Sequence, residues 1–344
     1  MSLQSLFGVE RSIIQAPMAG SQGSALAIAV CNAGGLGSLP CAMLSIERMR
    51  VELAAIKART DKPFNVNFFC HTPPTPNAER ELKWRALLAP YYERLGLAID
   101  AIPAASGGRE PFGAEACDVL AEFQPAVVSF HFGLPSAGLV ARLRGWGARV
   151  MSSATTVAEA RWRAARGVDA IIAQGLEAGG HRGMFLAEDL SGQLATFALL
   201  KEVLAAVRVP VIPAGGISDA QGVQRALASG AAGVQIGTSY LLCPEATTSA
   251  VHRAALQSDQ ARRTAVTNLF TGRLARGIVN RVMSELGPVN GAAPAFPLAA
   301  SAITPLRVAA EAQSAGDFSP LWSGQNANCR AMPAGELTRL LCPR

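Results

Sequence analysis

The segment QGLEAGGHRG, residues 174–183, places an amide, a carboxylate, an imidazole and a guanidinium among glycines. Gln174 could hydrogen-bond a base or ring edge through its amide, and Gly179 and Gly180 let a planar ligand approach the backbone. His181 is the candidate general base or acid, because an imidazole changes charge near neutral pH. Arg182 is either part of the same site or a surface charge. Two other segments suit an anion. IPAGGISD, residues 212–219, has Gly215 and Gly216 just before Ser218 or Asp219 opens a helix, and VQIGTSY, residues 234–240, offers Gln235, Ile236, the Gly237 amide and the Thr238 hydroxyl. Backbone amides at a helix entrance hold anions. One Gly-Gly pair after an apolar run is ordinary turn chemistry, but two such loops on adjacent units read as a single phosphate cup. Asn65 and Asn67 in FNVNFFCH, His131 in VVSFHFG, and Ser152 and Ser153 in VMSSATT are further polar tips. His131 is the second catalytic candidate, whereas His71 and His252 read as structural.

These groups must be positioned by the elements that carry them. Short apolar runs flanked by Gly or Pro recur at 13–15, 36–39, 64–69, 126–130, 149–153, 170–174, 211–214 and 233–237. Amphipathic patterns fill the intervals at about 24–33, 45–59, 77–96, 135–145, 156–166, 194–207 and 219–229. Alternation of this kind predicts βα units and a parallel sheet. Eight units of this length predict a (β/α)8 TIM barrel, in which the polar tips share the C-terminal rim. We therefore expect the barrel at 1–244, completed by 305–344, where a helical pattern near 305–315 serves as the eighth helix. Residues 245–304 then form a small helical second domain over the C-terminal face, and the Ala/Gly/Pro-rich stretch 97–116 also exceeds what a barrel needs.

Composition narrows the function. Of 344 residues, 50% are hydrophobic and 16% charged, which suits a large packed core rather than a disordered chain. The net charge of +6 is dispersed, so no nucleic-acid partner is expected. Arg262, Arg263, Arg273, Arg276 and Arg281 read as a solvated face. Seven cysteines in no CxxC or Cys/His cluster imply neither a disulfide framework nor a metal, and fit a reduced, cytoplasmic setting. The N-terminal stretch lacks a basic region followed by an apolar core, and every long apolar run is interrupted, so neither export nor membrane insertion is expected.

IIQAPMAG with NAGGLGSL, then FNVNFF, QGLEAGGHRG, PAGGISD and QIGTSY, occur in an order that resembles the nitronate monooxygenase family, formerly 2-nitropropane dioxygenases, over about residues 8–325. QGLEAGGHRG is the specific motif; PAGGISD is shared by many flavin barrels. The resemblance implies an FMN-bound barrel that oxidises alkyl nitronates, typically propionate 3-nitronate, with O2 to a carbonyl compound and nitrite or nitrate. It implies FMN contacts from Met18, Asn67, Gln174, Gly179, Gly180, Gly215, Gly216 and the stretch Gln235, Ile236, Gly237 and Thr238. It also implies a catalytic role for His181, as base or as charge stabiliser, and no metal. The loop after PMAG reads SQGS at a place where the family varies. The competing reading is an FMN-dependent NAD(P)H:quinone or enoyl reductase on the same barrel. A Schiff-base sugar-phosphate lyase ranks last, because no predicted strand ends in Lys. The oligomeric state is open.

Overall fold

A computed structural model describes residues 1–102, 109–326 and 328–342. The chain enters through α1 (Leu3–Phe7), then runs β1 (Ile13–Gln15), α2 (Ser24–Asn32), β2 (Gly37–Pro40), α3 (Ile46–Arg59) and β3 (Phe64–Phe69). After α4 (Ala78–Arg94) come α5 (Ala114–Phe123), β4 (Val127–His131), α6 (Ala137–Gly145), β5 (Arg149–Ala154), α7 (Val157–Ala164) and β6 (Ala170–Gln174). A two-residue strand, β7 (Gly180–His181), precedes α8 (Thr196–Ala206), β8 (Val211–Ala214), α9 (Ala220–Ala228) and β9 (Val234–Ile236). The remainder holds α10 (Ala250–Leu256), β10 (Thr264–Thr267), β11 (Ala275–Ile278), α11 (Arg281–Leu286), α12 (Ala300–Ala312) and α13 (Ala334–Leu341).

Parallel pairing runs in the order β1-β9-β8-β6-β5-β4-β3-β2. The ends meet where the Leu36 amide donates to Ile13 O (2.9 Å) and the Gln15 amide to Leu36 O (3.0 Å), which closes the TIM barrel. Strands buried on both faces explain the unbroken apolar runs: every residue of β3 and of β6 is buried. Inside, Ile14, Leu36, Val127, Met151, Ile172 and Ile212 pack together, and Leu3 and Phe7 of α1 plug the N-terminal end. Helix starts follow the polar residues at their entrances. The Thr156 side chain accepts from the Glu159 amide at α7, and Asp219, not Ser218, accepts from the Gly222 amide at α9. Gly37 is required by close packing, since a Cβ there would lie 2.1 Å from Ala27 O of α2.

The expected division of the chain needs correction at three elements. The helix near 305–315, expected to close the barrel, is α12, and it packs on α4 in a second layer. The closing helix is α13, which contacts α2 and α9. Its Tyr240–Thr338 hydroxyl bond, 2.9 Å, ties it to the segment after β9. Helix α4 also leaves the barrel, and α5 takes its place between α3 and α6. The reason is in the side chains of α4: Trp84 and Tyr92 are large and bear polar tips, which donate to Ala299 O (3.2 Å) and Ala302 O (2.6 Å). Nor is the second layer wholly helical. β10, β11 and β7 form an antiparallel sheet in which His181 pairs with Ala275. No helix among the described residues is long and apolar enough to cross a membrane.

Candidate functional site

The C-terminal ends of the barrel strands and the second layer enclose a cavity of about 440 Å³. Met18, Asn67, His131, Gln174, Gly179, Gly180, His181, Gly215, Gly216, Gln235, Ile236, Gly237 and Thr238 all line it. Of the other polar tips, Ser153 lines the cavity too. Asn65 lies deeper, donating to Ser38 Oγ at 2.9 Å.

The glycine loops form the floor of one end. Gly215 (φ +120°) and Gly216 (φ +66°) hold backbone that side-chain-bearing residues rarely adopt, and a Cβ on Gly215 would lie 2.7 Å from Ala178 N. The 323–326 loop, which sequence reasoning missed, covers this end. The Gly324 amide donates to Thr238 Oγ1 (3.0 Å) and the Gln325 amide to Glu177 O (2.8 Å). Gly179 must be glycine for that reason, its Cβ position being 2.5 Å from Gly324 N. The Glu177 carboxylate is turned away, accepting from the Thr196 amide and hydroxyl at 2.8 and 2.7 Å at the start of α8. Met18 is held from beneath, its amide donating to Gln22 Oε1 at 3.0 Å.

Gln174 departs from expectation. Its Oε1 accepts from the Gly183 amide (2.7 Å) and its Nε2 donates to His181 O (2.9 Å), so most of its amide fixes the histidine loop instead of waiting for a ligand. Arg182 is no surface charge: it is fully buried and donates to Gln193 Oε1, Gly175 O and Gln174 O at 2.7–2.9 Å. Nor do Arg273 and Arg276 lie on a solvated face. Arg273 stacks 4.0 Å above the Phe132 ring and donates to Met184 O, while Arg276 donates to Leu176 O at 2.8 Å. Burial pushes the Arg273 guanidinium down to about 10.

His131 and His181 are now distinguishable. His131 Nε2 lies 3.1 Å from His181 O, which can only accept, so Nε2 carries the proton and Nδ1 accepts from Ser153 Oγ at 2.5 Å. Both ring nitrogens are engaged by the protein, and burial depresses the imidazole to about 3. His181 projects from β7 with Nε2 2.9 Å from Thr271 Oγ1, among the rings of Phe296 (5.5 Å) and Trp322 (5.4 Å). Burial, then the charges of Arg109, His131 and Arg273, hold it well below 6.5. At neutral pH it is an uncharged base. Arg109, Thr271, Arg307 and Trp322 complete the wall. They lie far from the strand ends in sequence, and no local spacing marks them.

The profile of the nitronate monooxygenase family matches residues 1–344. The chain belongs to the nitronate monooxygenase family. It is similar to the nitronate monooxygenases of Paraburkholderia phytofirmans, 43% identical over 99% of this chain and 93% of that protein, and of Pseudomonas aeruginosa, 41% identical over 98% and 96%. Its fold is similar to that of a nitroalkane oxidase from Streptomyces ansochromogenes, with TM-score 0.90 and 37% identity over 99% of this chain and 96% of that one. It is thus an oxidoreductase of a flavoenzyme family. The cavity fits a flavin on its own chemistry. Gln235 Oε1 is buried in its wall with no hydrogen-bond partner, and the cradle at Gly215 and Gly216 is bare backbone that a side chain would fill.

Proposed function

We propose that this nitronate monooxygenase family member binds FMN in the cavity, the phosphate in the cup of Gly215, Gly216, Gly237 and Thr238, and oxidises alkyl nitronates with O2 to a carbonyl compound and nitrite or nitrate. Bound FMN would supply the electron-accepting chemistry; the protein supplies orientation, a proton acceptor and exclusion of water. Asn67 donates its Nδ2 to Ser129 O and Oγ, at 3.2 and 2.9 Å, which leaves Oδ1 as the acceptor toward the ring.

The observation that carries this reading is the neutral His181 facing an aromatic-lined cavity. In the tautomer whose Nε2–H points to Thr271 Oγ1, Nδ1 is the basic nitrogen, and it takes the α-carbon proton of a neutral nitroalkane. A substrate that arrives as the nitronate has no proton to lose and needs only orientation. The depressed imidazole favours the base over the charge-stabilising role, which would need an imidazolium at neutral pH. His131, with both nitrogens occupied, acts through the loop it holds and not on substrate.

Anaerobic stopped-flow mixing of the holoenzyme with ethyl nitronate or with NADH tests the proposal. Flavin bleaching by nitronate and not by NADH is expected. Rapid bleaching by NADH alone would replace this reading with the reductase.

A further inference from the structure

Helix α7 carries a cation that the chain leaves half satisfied. Arg163 has no solvent exposure, and its Nε donates to Ser153 O at 2.7 Å. Its other two nitrogens, Nη1 and Nη2, are buried and have no acceptor among the described residues. The guanidinium lies 4.4 Å from the centre of the Phe185 ring and 5.7 Å from that of Trp162, so aromatic carbon packs around it. Burial lowers the group to about 10, which leaves it charged at neutral pH.

Two acidic groups of the chain stand near that charge, and neither bonds to it. Glu159, one turn back on α7, is fully engaged elsewhere: Oε2 accepts from the Thr155 amide and hydroxyl at 2.6 and 2.8 Å, and Oε1 from the Phe185 and Leu186 amides at 2.7 and 3.3 Å. The Cys70 thiol lies within the field of Arg163, but burial pushes it up to about 12, so it stays protonated and offers no charge. A buried guanidinium with bare N–H donors is strongly unfavourable, and such a group calls for a partner that the chain does not supply.

We propose that a halide ion, chloride under ordinary conditions, occupies a closed site against Nη1 and Nη2 of Arg163. A small monovalent anion gives up the least hydration on entering so enclosed a place, and guanidinium donors to it form charge-assisted hydrogen bonds. Water would satisfy the N–H groups and leave the charge unanswered. The site is separate from the cavity described above, which neither Arg163 nor Cys70 lines. It stands directly behind it: the Ser153 that accepts from Arg163 also donates its hydroxyl to His131 Nδ1 at 2.5 Å, so the ion anchors the end of β5 from the outside.

Crystals of the wild-type holoenzyme grown in bromide test the site directly. Anomalous scattering at the bromine edge should show an ion at Nη1 and Nη2, and the Arg163→Met variant should lack it. In solution, replacing gluconate with chloride at fixed ionic strength should raise the thermal midpoint of the wild type by about 2–5 °C, as a ligand of the native state does, and leave Arg163→Met unmoved. Cys70→Ala should keep the wild-type response. Ordered water in place of bromine, or a chloride response shared by Arg163→Met, would overturn the proposal. So would a wild type indifferent to chloride whose Cys70→Ala variant responds to it, because the thiolate is then the counterion. Should Arg163→Met fail to fold, the bromine signal in the wild type still decides.

Discussion

Lowering the pH from 7.5 to 5 should destabilise this protein far more than its carboxylates alone would require, because all four of its histidines are held neutral. Burial pushes His71 and His252 down to about 4 and His131 to about 3, and holds His181 well below its ordinary value. Arg109 and Arg273 deepen the effect at His71 and His181. In the unfolded chain the same imidazoles titrate near 6.5. Between roughly pH 4 and 6.5 the unfolded state therefore binds more protons than the native one. Stability is complete above 6.5 and is lost as the pH falls toward the folded values. Each pH unit in that window costs about 1.4 kcal/mol per histidine, or about 2 kcal/mol each at pH 5 and about 8 in all. Partial exposure screens His131 and His181, and halving their two shares leaves about 6 kcal/mol, a large part of the 5–15 typical of a folded domain. Urea unfolding at pH 7.5, 6.5, 5.5 and 5 measures it. His252→Gln, which keeps a donor toward Trp322 O, should remove one histidine's share of the slope. A free energy of unfolding that stays level from pH 7.5 to 5 would refute the claim that these imidazoles fold uncharged.

Replacing His181 with Asn should lower oxygen uptake with neutral nitroalkanes by about 10²–10⁴, and with preformed nitronates by less; equal losses on both would mean that the residue orients substrate and does not take its proton. Gly216→Val, which forces a branched side chain onto φ +66° beside Glu177, should greatly reduce bound flavin per purified chain, read from the visible spectrum. Ser153→Ala removes the donor to His131 Nδ1 and should cost about 1–2 kcal/mol in thermal or urea unfolding, with the flavin spectrum retained.

The barrel was legible because its signals are local. Strands such as 64–69 and 170–174 are apolar throughout since both faces are covered, and the glycine loops follow them directly. Helices α4 and α12 were misassigned for an equally physical reason. An amphipathic pattern says that a helix has a buried side, not which layer buries it, and α13 offers a similar stripe in Leu337 and Leu341. The second sheet escaped notice because β7 is two residues long and finds its partner, Ala275, nearly a hundred positions later. Arg273 and Arg276 read as solvated because charge density along the chain does not reveal that Phe132 lies beneath Arg273 or that Leu176 O accepts from Arg276.

His181 belongs to two bodies at once: its chain segment leaves the end of β6, yet its backbone is paired into the sheet of the second layer through Ala275. The covering layer is consequently not an interchangeable module. Chimeras that transplant residues 245–326 from a relative would replace the strand against which the base is registered, and would reset its position along with the specificity they aim to import. A graft that respects this dependence takes residues 174–183 and the 264–278 hairpin as one piece, leaving the glycine cup behind in the host barrel.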